Sequence, residues 1–131
     1  MSRPVACFGH VVEGTDLHLV VPPPPAPPTP LPVPLPFRGR IIATAPVWVN
    51  GLQVALDGDV VVGDAHQPPS GMTFAPQFLT NAGTLIAPPN VVLLIGGRAA
   101  AAQGDMVATC QFSGPTPTSM VTEGDPSLVV P

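Results

Sequence analysis

At 131 residues the chain is sized for one domain, residues 1–131, with enough surface to bury a core. Its 21 prolines and 13 glycines, set against 5% aromatic and 9% charged residues, argue against long helices, because breakers interrupt nearly every apolar run. A net charge of −4 with four arginines and no lysine leaves no basic footprint for nucleic acid, and so few charges suit burial in a larger assembly.

From the N-terminus, no apolar core of a signal peptide is visible, and the run at residues 91–95 is too short to span a bilayer. Synthesis in the cytoplasm, with both cysteines reduced, is the expectation. Val11-Val12 and Leu17–Val21 read as short strands around a turn at residues 13–16. Residues 22–36 are ten-fifteenths proline and read as a polyproline II strap. Leu31, Val33, Leu35 and Phe37 alternate with its prolines and can press an apolar edge on the domain. Val47-Trp48-Val49 and Leu52-Gln53-Val54 flank Asn50-Gly51, a tight hairpin turn. Residues 67–81 form a connection in which Phe74 and Phe78 are loop anchors. A second hairpin spans residues 94–100, turning at Gly96-Gly97. Residues 113–119 read as a loop. Residues 120–122 and 127–130 read as two strands joined by residues 123–126, the last completing an opening copy that lacks its own hairpin.

That copy belongs to a repeat. Gly51 to Asp59 and Gly97 to Asp105 have the same spacing, and each hairpin leaves through an apolar segment into a Gly-Asp step. Val5-Ala6-Cys7-Phe8-Gly9-His10 is a third, partial copy with a histidine in the aspartate position. Repeats set architecture, and three of them predict a three-sided β body. A metal-capable side chain follows each exit: His18, His66 and Cys110. Packed about one axis, these converge, and nitrogen and sulfur donors meeting at a point suit zinc. His10 or Cys7 supplies a fourth ligand. His10 is preferred, since Cys7 aligns with the core positions Leu56 and Ala102. Without the repeat register, three histidines and two thiols are as readily satisfied core and surface groups.

The stretches at residues 49–59 and 95–105, and above all AQGDMVATC at residues 102–110, resemble the signature of PAAR-repeat proteins. The proline segment followed by residues 37–42 resembles PAAR-like variants with an extended proline loop. Gln53, Ala102 and the Gly9-His10 step depart from the signature. The resemblance spans residues 5–130. It implies an all-β fold, a small pseudo-threefold cone of short β-hairpins with a proline-rich loop and a zinc near the vertex. It implies His10, His18, His66 and Cys110 as the ligands of one structural zinc. The implied function is mechanical: a tip that caps and sharpens the trimeric β-helical spike of a contractile injection machine, such as type VI secretion or a phage-tail-like particle. Its partner is the spike trimer, with effector cargo as an addition and the target membrane contacted in passing. Assembly at the particle tip and outward delivery follow.

Two other functions compete with this one. Catalysis by Cys110 with a histidine and Asp105 lacks a recognisable nucleophile motif or oxyanion loop, so no enzyme is expected. A proline-rich adaptor would bind a partner's aromatic groove through residues 22–36.

Overall fold

The computed structural model describes residues 2–88 and 93–131. The first part of the apolar run at residues 91–95 therefore lies outside the described residues. Among those described there is no helix, and none long and apolar enough to cross a membrane. The strands are β1 (Arg3–Val5), β2 (Val11–Val21), β3 (Leu31–Ile42), β4 (Trp48–Val49), β5 (Leu52–Gln53), β6 (Val60–Gly63), β7 (Thr73–Phe74), β8 (Ala82–Ile86), β9 (Leu94–Ile95), β10 (Arg98–Ala99), β11 (Met106–Gln111), β12 (Gly114–Val121) and β13 (Asp125–Val130).

Six of these close into an antiparallel barrel in the order β2, β3, β6, β8, β11, β12 and back to β2. β7 adds to the far end of β2 through Val20↔Phe74. Closure rests on a glycine: a Cβ at Gly14 would lie 2.6 Å from the Ser119 Cα, so only a bare backbone lets β2 reach β12. Residues 13–16 are consequently not a turn. β2 runs unbroken from Val11 to Val21, and its Glu-Gly-Thr-Asp stretch is extended because the neighbouring strand demands it.

The proline strap also enters the sheet. Leu31 to Arg40 pairs with Val11 to Val20, and Leu35 and Phe37 are buried while Pro32, Pro34 and Pro36 are exposed. Proline occupies only every second position there, so the residues between remain free to donate to β2. β6 covers β3 only from Gly39 onward, which leaves the prolines along an edge where no donor is needed. Residues 114–119 repeat the device: Pro115 and Pro117 sit in β12, in a stretch that the sequence presents as a loop.

Below the barrel lie three two-stranded pieces, β4–β5, β9–β10 and β1–β13. Asn50 and Gly51 take φ of 49° and 80°, Gly96 and Gly97 take 60° and 82°, as such tight turns require. In the third piece the last strand pairs with the first, Arg3↔Val130, and the chain termini stand where the other two have turns. The segments leaving these pieces are tied in a ring. Ala6 N–H donates to Ala101 O at 2.9 Å, Ala101 N–H to Ala55 O at 2.8 Å, and Ala55 N–H to Ala6 O at 2.9 Å. The three alanines are fully buried and join Val12, Ile41, Val61, Leu85, Val107 and Val121 in one core. Above the ring, Gly9, Gly58 and Gly104 donate to Ile41, Leu85 and Val121 in turn.

Candidate metal centre

The barrel interior changes character along β2. Val12 belongs to the apolar core, whereas Asp16 and His18, four and six residues on, are polar and fully buried. Residues two apart on a strand share a face, so Asp16 and His18 enter the interior together. His66 reaches the same place from the segment after β6, its backbone N–H donating to Asn81 Oδ1 at 3.2 Å. One ligand atom from each of Asp16, His18 and His66 lies within 4.8 Å of the others. Zinc bonds of about 2.0–2.1 Å set tetrahedral donors about 3.4 Å apart, so the three side chains would draw together around an ion, with His66 Nε2 and Asp16 Oδ2 already 3.0 Å apart. This buried group can hold a metal ion.

The chemistry of the donors fits. Asp16 Oδ1 accepts from the Thr109 hydroxyl at 2.6 Å and the Gln111 amide at 2.8 Å, while Oδ2 accepts from His66 Nε2 at 3.0 Å. A carboxylate this deep is costly unless donors or a cation face it. The imidazoles of His18 and His66 pack with centroids 4.7 Å apart, and Phe74 and Phe37 lie at 6.2 Å from one or the other. His18 Nδ1 bonds Gln77 Oε1 at 3.0 Å. Its Nε2 is, among the described residues, the one buried side-chain polar atom with no hydrogen-bond partner. Burial lowers the His18 pKa; its Gln77 bond, Asp16 and the Cys110 backbone carbonyl pull the other way, and His66 adds to the lowering. A buried imidazole nitrogen with no hydrogen-bond partner is free to serve as a metal ligand.

Of the four side chains the repeats single out, two come together here. His10 lies in the turn just before β2, and its neighbour Val11 is seven residues from His18 along a continuous strand, roughly 23 Å at an ordinary strand rise. There its Nδ1 accepts the Cys7 N–H at 2.9 Å, closing the exit turn. Cys110 lies on β11 between Thr109 and Gln111, both of which bond Asp16, so strand alternation turns its sulfur to the other face. That sulfur accepts the Thr80 N–H at 2.9 Å and donates to Phe78 O at 3.4 Å. Cys7 is core: its thiol pKa is pushed up to about 11 by burial and by Asp125. Asp16 went unread because the repeats compare turn exits. Its signal was an Asp-x-His step at the period of a strand.

Comparisons with protein-family models, with curated proteins and with solved structures find no match.

Proposed function

We propose that this chain is a non-enzymatic tip protein that caps and sharpens a trimeric β-helical spike, its repeats wrapped about a pseudo-threefold axis as a small cone. The observation that carries the reading is the closed ring through Ala6, Ala55 and Ala101. Around it, Trp48, Leu94 and Val129 occupy matching places, paired with Gln53, Ala99 and Pro4. Each of the three is an exposed apolar side chain, at 58%, 52% and 43%. Three like apolar contacts on one chain are what a threefold partner asks for, and Trp48 is the kind of large aromatic that interfaces use as an anchor.

Zinc is the ion proposed for Asp16, His18 and His66, since imidazole and carboxylate are among its ordinary ligands and it has no redox chemistry to control. Its role is to cross-link barrel strands so that the tip survives being driven through a membrane. Synthesis in the cytoplasm, assembly at the particle tip and outward delivery complete the proposal, with any effector held non-covalently. The adaptor alternative retains residues 22–30, since Leu31 to Pro36 is paired with β2.

The test is co-purification with a trimeric β-helical spike protein and measurement of the complex mass. One chain per trimer is expected, lost on combining Trp48→Glu with Leu94→Glu. No complex, or one indifferent to both substitutions, overturns the docking reading.

A further inference from the structure

Gln77 lies in the segment between β7 and β8, which is stitched to the barrel at several points. Ala75 N–H donates to Leu19 O at 3.1 Å, Phe78 N–H to Phe112 O at 3.4 Å, and Thr80 N–H to Cys110 Sγ at 2.9 Å. The Gln77 side chain is itself fully engaged. Nε2 donates to Leu19 O at 2.7 Å and to Ala75 O at 3.0 Å, while Oε1 accepts the Leu19 N–H at 2.8 Å. Turning the amide over would set its oxygen against two carbonyl oxygens and its NH2 against an N–H. The orientation is therefore decided by backbone partners alone, with no reference to His18.

That orientation dictates the histidine. An oxygen at 3.0 Å from His18 Nδ1 requires that nitrogen to be the donor. A neutral imidazole carries one proton, so Nε2 is left with its lone pair and, in this interior, with no donor to meet it.

We infer that Gln77 is the positioning residue of the metal centre: it holds His18 as the Nδ1–H tautomer and so reserves Nε2 as the ligand atom. The inference rests on the metal reading of Asp16, His18 and His66, and it deepens that reading by naming the atom and what aims it. Cys110 then acts at one remove, because its sulfur anchors the segment that carries Gln77. An outer partner of this kind commonly changes metal affinity by about 10- to 100-fold.

Two measurements test it. Long-range proton–nitrogen NMR on the metal-free wild-type protein reads the His18 tautomer directly and needs no variant. Nδ1–H is expected, and Nε2–H overturns the inference. Zinc and cobalt(II) affinities are then measured by chelator competition for the wild type, Gln77→Ala and His18→Ala. Gln77→Ala is expected to weaken binding by about 10- to 100-fold and to lose the single tautomer. Wild-type affinity in Gln77→Ala, with His18→Ala impaired, overturns the role of Gln77 and leaves the metal centre standing. A wild-type protein that binds neither ion, or a His18→Ala variant that binds as well as the wild type, overturns the metal reading and this inference with it.

Discussion

His10 Nδ1 accepts the backbone N–H of Cys7 at 2.9 Å, in the place where Asp59 accepts from Leu56 and Asp105 from Ala102, each at 2.8 Å. The two aspartates are also gripped by arginines, Asp59 by Arg98 at 2.7 Å and Asp105 by Arg3. Arg98 directly precedes Ala99-Ala100 and Arg3 precedes Pro4-Val5; the matching place before Gln53-Val54 is Leu52. One turn in three thus carries a histidine cap where the other two carry an Arg–Asp pair. His10→Ala should cost about 1 kcal/mol, the usual loss when a turn acceptor is removed, with metal content unchanged. His10→Asp with Leu52→Arg should build the same pair at this turn and recover the stability lost in His10→Ala, by no more than about 1 kcal/mol for a partly exposed pair. Urea unfolding of the three proteins, with metal analysis, checks both.

With an ion in the proposed site of Asp16, His18 and His66, chelation should lower the melting temperature. An ion held by the folded chain alone, at a hundred times its dissociation constant, would contribute about 2.7 kcal/mol. Asp16→Asn, His18→Ala and His66→Ala should each abolish the difference between loaded and chelated protein. In cobalt-substituted protein no thiolate-to-metal charge-transfer band should appear, because Cys110 Sγ is bonded to Thr80 and Phe78. Such a band would return Cys110 to the ligand set.

Closure of the barrel hangs on Gly14. A methyl group there meets Ser119 Oγ at 2.2 Å and its Cα at 2.6 Å, and the latter cannot swing aside. Gly14→Ala should destabilise by about 2 kcal/mol or more, as overpacking against backbone does. Ser119→Gly in the same chain removes the hydroxyl but not the Cα and should recover only part of the loss, as thermal unfolding would register.

Acid should loosen one corner of the lower face. Asp125 is held below the ordinary carboxylate value by the Ser127 hydroxyl, then by the Ser127 N–H and the Asn50 amide. A group with a depressed folded pKa gives its full stabilisation above the unfolded value and loses it as pH falls through the folded one. The melting temperature of the wild type should therefore fall more steeply through the acid range than that of Asp125→Asn. Equal slopes would mean that Asp125, Ser127 and Asn50 contribute nothing together.

Much of this was legible in the sequence because it is local. Asn50-Gly51 and Gly96-Gly97 fix their turns by the φ they permit, and the Gly-Asp exits recur with a spacing that marks like segments. The alternation of Leu31, Val33, Leu35 and Phe37 with prolines announced one apolar face, which is buried at Leu35 and Phe37 but exposed at Leu31 and only half-buried at Val33. Completion of the first copy by the last strand followed from counting hairpins. Tertiary structure alone decided the rest. Whether Glu13–Asp16 bends or extends depends on β12 lying against Gly14, and only that extension places Asp16 beside His18. Cys110 was read by its distance from a turn, whereas its direction follows from strand parity. Gln77 meets His18 across 59 positions of chain, through bonds to backbone that no local pattern encodes. Turn chemistry is written in adjacent residues, but a buried ligand set is assembled by whichever strands the barrel happens to make neighbours.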